Sequence, residues 1–302
     1  RPLVEGTLTM AQITLTGATD IQAETAKLTA KLRTQSTRAV LRALGWSTLT
    51  LVLTIVAVLV IWVGLLWALQ LSPLIAKGPI DVWNWLFTVP AAEANRTMLL
   101  GNLMVTLGDA AIGFVAGLVV ALLAALAFEL NKGIEHALMP VAMLLRSVPL
   151  IAMAPVIILI FGRDFWTVAV IGGIVVLFPA LVNISFGLKS APPMMNDLVD
   201  VYGGGALTKL RKVAFPSSLP AFFAAVRISV PGAITGALLA EWLAVGGGIG
   251  GSIGGFVPQA QFAALWASVV AVTGASLVLY NLIQIVEDVV LARMAMHPQK
   301  GV

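Results

Sequence analysis

Charged side chains inside apolar segments are the residues of this sequence best suited to chemistry. Arg146, Arg227 and Glu241 each lie within a long apolar stretch. A charge in hydrocarbon costs several kcal/mol unless it faces a cavity or an opposite charge, so these residues are candidates for a solute path. Each has a structural alternative, because Arg146 could extend to the membrane surface while the other two could pair with neighbours and fix helix packing.

Backbone groups freed by prolines extend this candidate set. The apolar segment at residues 138–161 contains Pro140, Pro149 and Pro155. Each proline removes a backbone donor, so the helix should be bent or broken, and the freed carbonyls must face protein or a water-filled path. Asn183 is a further polar residue in an apolar stretch. The predicted path residues are therefore Arg146, Pro149, Pro155, Asn183, Arg227 and Glu241.

Catalytic and metal-binding constellations are missing from the sequence. It contains no cysteine, and its two histidines, His136 and His297, have no second ligand at metal spacing. ATP hydrolysis needs a glycine-rich loop ending in Gly-Lys-Ser/Thr, but no Gly-Lys pair occurs. The run GGGIGGSIGG, Gly246 to Gly255, lacks the lysine, and we interpret it as a flexible turn or hinge, or as a plain loop. We therefore expect no catalytic, cofactor or metal site in this chain.

Membrane-spanning helices are the elements that must position the path residues. The chain is 59% hydrophobic and 11% charged, with a mean hydropathy of +0.99, which is more apolar surface than one water-soluble core can bury. Several apolar stretches reach the roughly 20 residues that span a bilayer. The sequence predicts an all-α membrane protein with about six spans, near residues 45–70, 98–128, 138–161, 166–187, 219–243 and 262–290.

An amphipathic helix is predicted before the first span. Thr19 and Gln22 can form a capping box, and Ile21, Leu28 and Leu32 share one helical face. Such a helix can lie on an anionic membrane surface. A solvated tail is the alternative.

Lysine and arginine residues orient the predicted spans. With the N-terminus in the cytoplasm, thirteen Lys or Arg lie in the inner segments, whereas the outer segments hold Lys77, Arg96 and Arg163. Cytoplasmic loops of membrane proteins carry such an excess. The sequence therefore predicts a multi-pass protein with both termini in the cytoplasm, and it places the connection between the fourth and fifth spans there too.

That connection is unusually rich in charges and glycines. It reads DLVDVYGGGALTKLRKVAFPSSLP, Asp197–Pro220. Its apolar residues are too scattered to span a membrane but could form one face of two short helices, broken at residues 203–205, where a left-handed glycine backbone costs little. Its cations, Lys209, Arg211 and Lys212, could be simple membrane-surface anchors, but that interpretation leaves the acids and glycines unexplained.

This stretch resembles the cytoplasmic motif of permease subunits in binding-protein-dependent ABC importers. The motif reads Glu-Ala-Ala, three residues, Gly, and a Pro thirteen residues later. Here Asp197 stands at the Glu position, Gly203 at the Gly and Pro216 at the Pro, while Leu198 and Val199 replace the two alanines. The resemblance implies a coupling helix that docks into a groove of an ATPase subunit. The implied coupling residues are Asp197, Leu198, Val199, Asp200, Tyr202, Gly203, Gly204, Leu207, Leu210 and Pro216.

The resemblance covers roughly residues 75–290. LRSVPLIAMAPVIILIFG, residues 145–162, is similar to the third span of the subfamily that imports nitrate, sulfonates, taurine and bicarbonate, and VRISVPGAITGALLAEWLAVGGGIG, residues 226–250, is similar to its fifth span and following turn. One departure is TLGD, which places Asp109 where the subfamily usually carries an arginine. Because the alanine pair is replaced, we consider two arrangements of the importer. This subunit works beside a second permease chain of different sequence, or beside an identical one.

The resemblance implies a type I ABC importer permease fold and a domain layout. The expected parts are a cytoplasmic tail with the amphipathic helix (1–44), the first span and an outer segment (45–97), a core permease domain (98–292) containing the coupling segment (190–218), and a cytoplasmic tail (293–302).

The implied function is that of the transmembrane permease subunit of an ATP-driven importer in a bacterial inner membrane. It would form the path for a small solute, an organic or inorganic anion, delivered by an extracytoplasmic binding protein. Its expected partners are that protein, a dimer of ABC ATPases that bind ATP and Mg, a second identical or homologous permease, and lipid, but no nucleic acid. An ATP-independent secondary transporter or channel is the alternative, and a catalytic role for this chain is not expected.

Overall fold

The computed structural model describes residues 53–294, and residues 1–52 and 295–302 lie outside the described part. The predicted amphipathic helix near Thr19 and most of the predicted C-terminal tail therefore fall outside it. The same holds for the beginning of the first predicted span.

The chain divides into two compact units, Arg1–Leu71 and Ser72–Val302. Among its described residues, the first unit contains one apolar helix, α1 (Leu53–Ala68). The described part of the second unit is helical throughout, with short connections. In chain order its helices are α2 (Pro79–Phe87), α3 (Ala92–Leu130), α4 (Lys132–Ser147), α5 (Leu150–Phe161), α6 (Phe165–Lys189), α7 (Pro193–Val201), α8 (Ala206–Lys209), α9 (Phe215–Ala240), α10 (Gly248–Phe256) and α11 (Phe262–Arg293). Two π-helical turns, Leu210–Ala214 and Glu241–Val245, flank α9.

Four helical segments in the described part are long and apolar enough to cross a membrane. They are α3, α6, α11 and the continuous run Ala206–Val245, which contains α9. The pair α4 and α5 passes the same test as one broken span. These five correspond to the second to sixth predicted spans, while α1 is a shorter apolar helix within the first predicted span. The all-α membrane architecture is thus confirmed.

The third predicted span is broken at Pro149. Helices α4 and α5 meet at an angle of 106°. Proline lacks the N–H that would continue α4, and its φ of −60° lets it stand at the N-cap of α5, where its carbonyl accepts from the Ala152 N–H at 2.9 Å. Pro140 and Pro155 lie inside α4 and α5 without interrupting either helix.

Glycines let three long helices approach one another at the centre of the second unit. A Cβ placed on Gly172 of α6 would lie 2.8 Å from the Gly113 Cα of α3, and one placed on Gly236 of α9 would lie 2.7 Å from the Gly172 Cα. Both distances are too short for a real side chain. Small residues at such crossings allow the close backbone packing that holds membrane helices together. Helices α3, α6 and α9 therefore form a tight frame that positions the polar side chains described next.

Candidate solute path and coupling segment

A groove of about 550 Å³ lies where the broken span meets α6. Three predicted path residues line it: Arg146 near the end of α4, Pro149 at the break and Asn183 on α6. Most of the remaining lining is apolar and includes Phe178. The structure thus gathers one cation, one amide and a proline break around a single, otherwise apolar space.

The Arg146 guanidinium is the charged group of this groove. Its side chain is exposed, and its Cζ lies 4.8 Å from the centroid of the Phe178 ring, within cation–π range. Among the described residues, 53–294, Arg146 has no ion-pair or hydrogen-bond partner. A guanidinium carries several N–H donors in a planar fork, so this group is free to bind an anion.

The other predicted path residues occupy different places. The Asn183 amide nitrogen donates to the Pro179 carbonyl one turn earlier at 2.8 Å, which fixes the amide on α6. Pro155, Arg227 and Glu241 do not belong to the groove lining. Pro155 lies inside α5, and the two charged residues lie in separate buried clusters.

Arg227 forms a buried ion pair between α9 and α11. Its Nη1 lies 3.3 Å from Oε2 of Glu287, whose side chain is 1% exposed. The guanidinium also lies 5.6 Å from the centroid of the Tyr280 ring. This geometry corresponds to the packing alternative for Arg227, since the charge is neutralised within the helix bundle.

Glu241 is fully buried at the end of the fifth predicted span, where it holds the first turn of α10. Its Oε2 accepts from the Thr106 hydroxyl at 2.9 Å and from the Gly250 N–H at 2.7 Å. The same hydroxyl accepts from the Ile249 N–H at 2.9 Å. Free N–H groups of a helix's first turn need acceptors, and these side chains supply two of them.

These hydrogen bonds correct our interpretation of the glycine run. Residues 246–255 form neither a flexible turn nor a plain loop, because most of them belong to helix α10. A second bond ties α10 to α3, in which the Asn102 amide donates to the Ser252 hydroxyl at 2.8 Å. Helix propensity alone disfavours so many glycines, but tertiary acceptors for the first-turn amides offset that cost.

The coupling segment folds as two short helices, as predicted. Helix α7 ends at Val201, and the chain reverses at Gly203, whose φ of +74° only glycine adopts easily. The Gly204 N–H donates to the Val199 carbonyl at 2.8 Å and so closes the turn. An ion pair of 2.7 Å between Lys209 and Asp200 links α8 to α7.

The coupling segment exposes several large apolar side chains. The exposed fractions are 56% for Leu198, 82% for Val201, 84% for Tyr202 and 58% for Leu207. Leu210 differs from these residues because it is 7% exposed and packs in the hydrophobic core with residues of α3 and α6. The segment is therefore anchored at one end and unpartnered along its helices.

Sequence patterns did not single out Glu287 and Thr106 as functional residues. Glu287 lies within the last apolar span, and the rule that selected Arg227 would also have selected it. Thr106 gave no signal, because one threonine in an apolar span is common and its role depends on α10 packing beside α3.

Comparisons with known proteins agree with this architecture. A model of the family described as binding-protein-dependent transport system inner membrane component matches residues 113–296. The formylaminopyrimidine transport permease protein ThiX of Halalkalibacterium halodurans is 27% identical over 160 residues, covering 53% of this chain and 62% of that protein. The nitrate import permease protein NrtB of Synechococcus elongatus is 26% identical over 159 residues, covering 51% and 57%. The chain thus spans about three fifths of the length of these relatives.

A solved structure is also similar in part. An inward-facing conformation of the MetNI methionine ABC transporter aligns with a TM-score of 0.49 and 19% identity, covering 68% of this chain and 99% of the matched chain. The family match alone covers more than half of the 302 residues. The chain therefore belongs to the family of binding-protein-dependent transport system inner membrane components, the permease subunits of ABC importers.

Proposed function

We propose that this permease subunit imports a small anionic solute, driven by ATP that a partner ATPase hydrolyses. The observation that carries the proposal is the coupling segment, which exposes several large apolar side chains between two spans. An exposed apolar patch rimmed by charges is typical of a protein–protein interface. An ATPase dimer bound to this patch would supply the catalytic site that the sequence lacks.

Coupling requires that the ATPase bind this segment differently in its two states. A contact of equal strength in the open and closed ATPase dimers would shift no equilibrium of the permease. Tyr202 and Leu207 would insert into the partner, while buried Leu210 would transmit the movement to the spans through the core. The ion pair between Lys209 and Asp200 would keep α7 and α8 together during this movement.

The solute path in this proposal runs along the Arg146 groove. A second permease chain, identical or homologous, would close the open side of the groove, and alternating access would expose it to each side in turn. An anion suits the groove because, in the described part of the chain, Arg146 is a cation without an ion-pair or hydrogen-bond partner. Delivery by an extracytoplasmic binding protein is the route that the family name indicates.

The cargo is proposed only as a class. ThiX is named for formylaminopyrimidine transport and NrtB for nitrate import, so related permeases differ widely in what they carry. The unpaired guanidinium of Arg146 favours an anionic solute such as those at one extreme of this set.

The test compares two glycines of the coupling segment in the reconstituted assembly. An added Cβ meets open space at both Gly203 and Gly205, but Gly203 has a φ of +74° and Gly205 a φ of −84°. Gly203→Ala should therefore strain the turn by roughly 1–2 kcal/mol and lower solute uptake per ATP hydrolysed, while Gly205→Ala should not. Gly203→Pro should uncouple uptake fully, because proline fixes φ near −65°.

Charge at Asp197 provides a second arm of this test. Asp197 is exposed and has no partner among the described residues, so Asp197→Lys should leave the fold intact and uncouple hydrolysis from uptake, with Asp197→Asn intermediate. Wild-type coupling in Gly203→Pro and Asp197→Lys would remove the proposed role of this segment. Transport by the lone chain in liposomes without ATP would instead support a secondary transporter or channel.

A further inference from the structure

Two side-chain contacts join helix α4 to helix α6. At the groove end, the Arg146 guanidinium lies 4.8 Å from the centroid of the Phe178 ring. At the other end, the Lys189 ammonium donates to Oε1 of Glu135 in an ion pair. The two α4 residues are 11 positions apart, and so are the two α6 residues, in the opposite order along the chain. Eleven residues make about three helical turns, so both contacts lie on one face of each helix, and the helices run antiparallel.

Few buried side chains hold α4 in place. Ala142 is the buried residue of this helix, and Met139 is partly buried against the same core cluster. Apart from these two residues and Glu135, every residue of Lys132–Ser147 is exposed in this chain. Because membrane helices are held together mainly by close packing, the contacts at the two ends of α4 contribute a large share of its attachment to α6.

The ion pair lies directly before the coupling segment. Lys189 is the last residue of α6, and α7 begins at Pro193. The Ser190 N–H donates to the Gly187 carbonyl at 3.1 Å, which ties the start of this connection to α6. Pro192 and Pro193 have fixed φ angles, so the connection has little freedom. A displacement of α7 therefore moves Lys189 as well.

We propose that Glu135 is a positioning residue, which passes movement of the coupling segment from Lys189 along α4 to Arg146. Glu135 and Arg146 lie on one continuous helix, about 16 Å apart along its axis. The break at Pro149 separates α4 from α5, so α4 can move without α5. The inference rests on the proposed function, because it assumes that an ATPase moves the coupling segment.

A neighbouring ion pair provides a matched control. Lys132 lies 3.6 Å from Glu135 and 3.6 Å from Glu129, which is on α3. The pair of Lys132 with Glu129 joins α3 to α4 and does not involve α6. Glu129→Gln therefore removes an acid from the same cluster without breaking the contact between α4 and α6.

The test measures solute uptake per ATP hydrolysed by the reconstituted assembly. Glu135→Gln and Lys189→Gln should each lower this ratio by up to about fivefold, because a contact shifts an equilibrium by no more than its own strength and a partly exposed ion pair is weak. The double variant should lose no more than either single variant, since both remove the same contact. Glu129→Gln should keep the wild-type ratio.

A combination with the groove residue separates positioning from a purely structural role. If Glu135 acts through Arg146, then Glu135→Gln combined with Arg146→Met should lose little more uptake than Arg146→Met alone. Additive losses would overturn the proposal, because Glu135 would then act elsewhere. It would also be overturned if the loss in Glu135→Gln and Lys189→Gln followed a fall in thermal midpoint, which would make the ion pair structural.

Gly203→Pro distinguishes failure of this inference from failure of the proposed function. If Gly203→Pro uncouples uptake while Glu135→Gln and Lys189→Gln keep the wild-type ratio, the coupling segment acts by another route and only the role of Glu135 is refuted. If Gly203→Pro also keeps the wild-type ratio, the proposed coupling fails and this inference fails with it.

Discussion

Two arginines of the predicted path occupy opposite environments. Arg227 lies on the packed side of the bundle, where its side chain is 16% exposed and Glu287 neutralises it at 3.3 Å. Arg146 lies on the open side, in a groove, where its guanidinium lies 4.8 Å from the centroid of the Phe178 ring. One helix, α6, contributes to both sides through Gly172 in the packed frame and Asn183 in the groove. The contrast shows that a charge inside a span indicates a site only once its partner is known.

The largest expected effect is on the packed side, at Glu287. Glu287→Ala leaves Arg227 buried without a counter-charge, and removal of one partner of a buried pair costs about 3–5 kcal/mol. We expect a marked loss of folded protein in detergent and a lower thermal midpoint, measured by size-exclusion chromatography and a melting curve.

A double variant separates charge from packing. Replacing both Arg227 and Glu287 by Met removes the pair without leaving a lone charge, so its stability should return close to the wild type. If Glu287→Ala alone were as stable as the wild type, Arg227 would not depend on Glu287, and the contrast between the two arginines would fail.

The second effect concerns the glycine frame of α3, α6 and α9 on the packed side. In Gly172→Ala the new Cβ would lie 2.8 Å from the Gly113 Cα, and overpacking of this kind costs about 1–3 kcal/mol. Gly101→Ala on α3 is the matched control, because a Cβ there meets open space and alanine favours helix by up to ~1 kcal/mol. Thermal midpoints should move in opposite directions, and a parallel shift would contradict close packing at Gly172.

Much of the architecture could be predicted because it depends on local composition. Runs of apolar residues predicted the spans, and the proline content of residues 138–161 predicted a break, now found at Pro149. The reversal at Gly203 followed from the freedom of glycine to adopt positive φ. None of these inferences requires knowledge of which helices touch.

The site required contacts between residues distant in sequence. Arg146 and Asn183 line one groove only because the break at Pro149 brings the α4 end to α6. The glycines of α10 were misjudged because their helix depends on acceptors from Thr106 and Glu241, and Thr106 lies 143 residues away from the amide it accepts from. Such pairings leave no pattern in a single sequence.

The third prediction concerns the open side. Arg146→Met removes the unpaired charge of the groove, and loss of one charge-assisted hydrogen bond to an anion corresponds to about tenfold or more in binding. Solute uptake by the reconstituted assembly should decrease by about that factor. The thermal midpoint should stay nearly constant, since Arg146 is exposed and makes no ion pair or hydrogen bond in the described part of the chain, and surface substitutions usually change stability by no more than ~0.5 kcal/mol.

Arg146→Lys is the matched control for that change. It keeps the positive charge but loses the planar fork, so uptake should lie between those of the wild type and Arg146→Met. A fall in stability without a fall in uptake would assign Arg146 a structural role like that of Arg227.

The smallest effect compares the aromatic rings that accompany the two arginines. Phe178 lies 4.8 Å from Arg146 and Tyr280 lies 5.6 Å from Arg227. Each contact should contribute about 0.5–1 kcal/mol, and substitution by leucine keeps most of the apolar volume. Phe178→Leu should lower uptake a few-fold, because the ring holds an otherwise free guanidinium in place, and it should lower the thermal midpoint slightly because Phe178 also packs against the core. Tyr280→Leu should lower the thermal midpoint slightly and leave uptake per folded assembly unchanged. If both variants lowered uptake equally, the two arginines would serve the same purpose despite their different surroundings.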